Sequence, residues 1–335
     1  MVLSFFINGC YSFRIASHYN DLYRSRKKIS TVLASRDTDT ATKQKLETFN
    51  KILLYAKKEL LNVEGAYQYI IFNEGTSVSY VMQVVEADEL KQVTWWYPFI
   101  GSVPYKGYFT KLEAEQEASI WQKKKYDTYL GSVSAFSSLG WFEDPVFSSM
   151  LNRSEFALAE LIFHELVHRT TWIAGSVEFN EQFASYVAEK LTIHYLLSEK
   201  KEAMLNAYKK IKSDKQLFYK WLDGLKMELT HFYSAAKNQS LDEKMAGKLK
   251  IFKRYLSQLR PSFEKVDYIG SEASWNNAKV LSFSLYSPNY KLFDKAYTCY
   301  KDSKLGEFVL AVDKCLKGNK DYVQGLELLC KKKCQ

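Results

Sequence analysis

At 335 residues and 47% hydrophobic, the chain can bury one large core or two closely packed ones. No apolar run approaches the roughly 20 residues that cross a bilayer, which argues against a membrane-spanning helix. The formal charge of +9 is divided among separated runs at 24–28, 123–125 and 331–333, and no nucleic-acid motif accompanies them, so it reads as solvated helix surface and a nucleic-acid partner is not expected.

In chain order, the first segment, MVLSFFINGCYS, is an apolar stretch that runs into Gly9 and Cys10. It reads as the tail of a lipoprotein signal, although the basic region of a secretory signal is missing. A buried apolar arm and a late start are the alternatives. An acylated Cys10 would place the chain in the cell envelope, facing the periplasm or exterior, with a lipid and a basic surface acting together at the membrane. In that setting Cys299, Cys315, Cys330 and Cys334 form an even set able to pair as disulfides, with the connectivity open.

Residues 11–62 read as helices broken near SRDTDTAT. Residues 66–87 alternate β-branched and aromatic residues around Asn-Glu-Gly and predict a strand pair, which VTWWYPFIG extends. A charged helix is expected over 110–125 and a strand over 127–135. GWFEDP, residues 140–145, follows that strand, and its Glu143 and Asp144 are candidate anchors for a substrate ammonium. A simple turn before Pro145 is the other reading.

The segment SEFALAELIFHELVH, residues 154–168, has no Gly or Pro and predicts a helix with Leu158, Leu161, Ile162 and Leu166 on its apolar face and Ser154 as N-cap. His164 and His168 are four apart, so both imidazoles share a helix face and can reach one ion. Glu165 is rotated about 100° from His164, which brings its carboxylate toward a metal-held water without making it a ligand. A catalytic zinc needs a third protein ligand. EFNEQFASYVAEKL, residues 178–191, predicts a second helix returning after a short link through Gly175, with Glu181 at the edge of its inward stripe, positioned to close the site. Residues 197–237 read as a packed helical layer with one solvated face.

These motifs are accompanied by the blocks VPYKGYF (103–109), YLGSVSAFSSLGWFEDPV (129–146), LAELIFHELVH (158–168), FNEQFA (179–184) and NNAKVLSFSLY (276–286). In this order they resemble the bacterial aminopeptidase family of the HExxH zinc metallopeptidases, which is gluzincin-like. The likeness covers nearly the whole chain from Cys10 and weakens after about residue 300. Two departures are Arg169, where the family usually has Gln, and the run Ala188 to Leu191, where the family has an acidic run ending in Gly. The resemblance implies a zinc cofactor, His164, His168 and Glu181 as ligands, Glu165 as general base, and a peptide substrate cut at its N-terminus. Tyr286 is the candidate oxyanion donor, with a core or surface role as its alternative. A zinc endopeptidase, and an envelope-anchored peptide-binding or inactive peptidase-fold protein with a structural zinc, are the competing functions.

The expected fold class is α+β, helix-rich and zincin-like, with a small sheet preceding the HExxH helix. The expected organisation is a signal remnant at 1–9, a helical and small-sheet region at 10–150, and the zinc-site and C-terminal helices at 151–335, the last two packed as separate regions or as one compact unit.

Overall fold

The computed structural model describes residues 23–59, 61–73, 77–97, 100–135, 143–259, 274–301, 303–316 and 321–331, together with Asn20 and Gly75. Cys10, Cys334 and residues 136–142 lie outside this set, so the lipid site and part of the second family block are not described.

In chain order the elements are β1 (Lys27–Lys28), α1 (Ile29–Ala34), α2 (Thr40–Lys58), β2 (Tyr69–Ile71), β3 (Ser79–Glu86), β4 (Trp95–Tyr97), β5 (Gly101–Val103), β6 (Lys106–Tyr108), α3 (Lys111–Lys123), β7 (Tyr126–Val133), β8 (Val146–Phe147), α4 (Glu155–Thr170), α5 (Val177–Ser198), α6 (Glu202–Ala235), α7 (Leu241–Leu259), α8 (Asn277–Ser284), α9 (Tyr290–Tyr297), α10 (Leu305–Leu316) and α11 (Tyr322–Cys330). The class is α+β, mostly helical, with small sheets. The break expected near SRDTDTAT falls between α1 and α2, where the Asp39 carboxylate accepts from the Thr42 amide and starts the second helix.

The sheets correct the expected pairing. β2 and β3 are not partners: β2 lies between β1, antiparallel, and β8, parallel, whereas β3 lies antiparallel between β6 and β7. The reason is burial. Ile70 and Ile71 of β2 belong to the same core as Val146, Phe147 and the α4–α5 helices. Met82 and Val84 of β3 pack instead on Ala114 and Ala118 of α3. β4 and β5 form their own two-stranded ribbon, linked to β3 through the Val93 amide and the Val84 carbonyl at 2.9 Å.

The main core gathers α2, β2, β8, α4, α5 and the C-terminal helices α9 to α11 around Phe49, Phe163, Phe183, Tyr195 and Phe308. A second cluster joins α6 and α7 through Phe218, Leu222, Leu229 and Phe252, with Trp275 and Val280 packed on them. Cys299 and Cys315 are both disulfide-bonded. No helix among the described residues is long and apolar enough to cross a membrane.

Candidate metal centre

The site is built on α4 and α5, which make the most extensive helix–helix contact of the fold. α4 turns Leu158, Ala159, Ile162, Phe163, Leu166 and Val167 into the core, and this sets the rotation that places His164 and His168 together at the edge. Ser154 sits in the N-cap position with extended backbone, but its side chain makes no capping bond, in contrast to the expected role.

Six residues join the two helices, and Asn180 clamps them: its carboxamide accepts from the Ile173 amide at 2.9 Å and donates to the Ile173 carbonyl at 2.8 Å. The chain reverses through Gly175 at φ 77°. A second glycine, Gly101 at φ 86°, lies so close that a Cβ there would meet the Gly175 nitrogen at 2.7 Å. The Gly175 amide bonds the Ile100 carbonyl at 3.1 Å. The β4–β5 ribbon is thereby docked onto the α4–α5 turn, two residues before Tyr105.

With the helices so fixed, Glu181 projects from α5 onto the two imidazoles. Its Oε2 lies 3.2 Å from His164 Nε2 and 3.5 Å from His168 Nε2, and the two Nε2 atoms are 3.0 Å apart. Three ligands at about 2.0–2.1 Å from a tetrahedral centre stand about 3.3 Å from one another, so these separations are those of a zinc coordination edge. The donor set of two imidazole nitrogens and a carboxylate oxygen also has the number and type a catalytic zinc takes, and the residues present therefore fit the ion. One feature of a metal-binding histidine is missing: the buried Nδ1 of His168 has no hydrogen-bond partner among the described residues.

The electrostatics suit a cation. Burial alone would push the Glu181 carboxyl up, yet the adjacent imidazoles of His168 and His164 overcome it and hold the group well below the usual carboxylate range. Burial disfavours the His168 cation, and the Glu181 and Glu165 charges reverse that and raise it. Glu165 behaves differently: burial is the main cause raising its carboxyl, with the two imidazoles opposing and the Glu181 and Asp144 charges adding. Among the described residues no hydrogen bond or ion pair holds the Glu165 carboxylate, whereas Glu181 is bonded. Two carboxylates side by side thus have environments that push them apart.

Tyrosines surround the centre. The Tyr286 ring lies 6.5 Å from that of His164 and is 38% exposed, and the Glu181 charge, with burial, keeps its hydroxyl protonated far above its ordinary range. Tyr105, which the sequence reading did not single out, is raised by burial and by the Glu181 and Glu165 charges. The signal was present in the VPYKGYF block. Trp172 stacks edge-on against His168 at 5.4 Å.

Asp144 and Glu143 have other partners. Asp144 is 2% exposed and its Oδ2 accepts from Arg169 Nη1 at 2.9 Å, while Glu143 Oε2 accepts from Arg26 Nη1 at 3.2 Å. Each of the two carboxylates, expected to anchor a substrate ammonium, is paired with an arginine in this structure. Arg169 also donates to the Glu64 carbonyl at 2.6 Å, so it ties the back of the HExxH helix to the segment before β2.

The family model described as "Putative aminopeptidase" matches residues 10–323, and the chain belongs to that family. Searches of curated proteins and of solved structures return no match.

Proposed function

We propose that the protein is a zinc aminopeptidase in which His164, His168 and Glu181 hold the ion and Glu165 is the general base. The observation that carries this reading is the set of three donor atoms within 4.8 Å of one another beside a glutamate with no bond among the described residues, in a chain of an aminopeptidase family. Zinc, when bound, acidifies a water and polarises the scissile carbonyl. Glu165 accepts the proton of the attacking water and delivers it to the leaving amine, a role served by a carboxyl that burial raises above its ordinary range. Tyr286 is assigned to donate to the developing oxyanion, because it stays protonated at the rim of the site.

Metal content of the purified protein, measured with hydrolysis of a mixed peptide library, tests the reading. One equivalent of zinc with release of N-terminal residues supports it. A protein that takes up no zinc, or takes it up and cuts nothing, overturns it.

A further inference from the structure

The polar face of the α4–α5 pair continues beyond the metal centre. Glu160 stands four residues before His164 on α4, and Glu189 stands eight residues after Glu181 on α5, each on the face of its site residue. Lys212 enters from α6 between them. Its ammonium is ion-paired with Glu160 and lies 3.5 Å from Glu189 Oε2. The same Glu189 oxygen accepts from the Tyr290 hydroxyl at 2.6 Å, and Tyr290 stands four residues after Tyr286.

Lys212 and Glu189 are only 8% and 7% exposed. Desolvating such ions is costly, and well-packed apolar residues would serve stability as well or better. What an ionic cluster adds is fixed geometry, and here Glu160 and Glu189 stand on the helices that carry His164 and Glu181, while Tyr290 opens α9. The first helix after Tyr286, α9, is fastened to α5 at two further points: Tyr186 donates to Asp294 Oδ1 at 2.7 Å, and Lys190 pairs with the same oxygen at 3.0 Å.

We propose that Glu160, Lys212, Glu189 and Tyr290 form an ionic strut that positions Tyr286 over His164, so that they are positioning residues for the peptidase reaction. The proposal rests on the reading of the site given above. A cluster that merely held helices together would affect stability and leave the placement of Tyr286 unchanged.

The test uses the full chain with fluorotyrosine at position 286, read by fluorine NMR with and without zinc. Tyr290→Phe and Glu189→Gln are each expected to shift or broaden the resonance. Tyr195→Phe, which removes a comparable hydroxyl–carboxylate bond to Glu155, is expected to leave it unchanged. In the zinc-loaded enzyme Tyr290→Phe should lower kcat about 10-fold with KM within about twofold, and should cost little more when Tyr286→Phe is already present. Lys212→Arg should restore what Lys212→Met loses. An unmoved resonance in folded Tyr290→Phe and Glu189→Gln, or fully additive kinetic losses, overturns the strut. If the wild-type enzyme cuts no peptide, the peptidase reading fails, and the resonance alone still decides whether the strut sets Tyr286.

Discussion

Glu181 Oε2 and His164 Nε2 lie 3.2 Å apart across two helices, although 17 residues separate them along the chain. That relationship divides the variants of the site into two classes. His164→Ala and Glu181→Ala remove a ligand, and both are expected to lose zinc and activity together. Glu165→Gln leaves the three donors in place, so zinc content stays near wild type while hydrolysis falls by about 100-fold or more. Metal analysis and peptide hydrolysis on the same preparations check this, and full activity in Glu165→Gln would remove Glu165 as base.

An aminopeptidase must distinguish a free ammonium from an amide at the substrate N-terminus. N-acetylation is expected to depress cleavage by about 10-fold or more, equivalent to about 1.4 kcal/mol of transition-state stabilisation. Equal rates on acetylated and free peptides would identify an endopeptidase.

The buried pair of Asp144 and Arg169 predicts a stability phenotype. Asp144→Ala removes the carboxylate partner of a buried guanidinium and is expected to cost about 3–5 kcal/mol in urea unfolding. Replacing both partners, as in Asp144→Leu with Arg169→Met, should recover much of that loss. A change of less than about 0.5 kcal/mol in the single variant would show the pair to be dispensable.

Lys279 gives a pH dependence. It is buried on α8, and burial holds its ammonium down to about 8 from an ordinary 10.5. The unfolded chain therefore binds the extra proton between those values, and stability rises with pH through that window. Below pH 8 the folded protein carries the full penalty. Lys279→Met should raise the melting temperature at neutral pH, with the gain fading as pH climbs from 8 toward 10.5. A gain that is constant across this range would contradict the depressed value.

Cys10, at the end of the apolar N-terminal stretch, is predicted to be acylated. Labelled palmitate should enter the full-length chain and fractionate with membranes, and Cys10→Ala should be released. Absence of label from a chain with a verified start would refute the anchor.

The two helices of the candidate metal centre were legible in the sequence because their information is local. An apolar stripe fixes which face of α4 is buried, and a four-residue spacing then aligns His164 with His168 whatever surrounds them. Glu181 was legible for the same reason, since a short link brings the following helix back onto the first. The sheets were not, because β2 and β3 have similar strand character, and only the competition for burial against β8 or α3 decides their partners. Asp144 shows the limit most plainly. Its position before the site was visible, but its partner lies 25 residues away on the HExxH helix, and which cation a carboxylate meets is decided only by the tertiary structure.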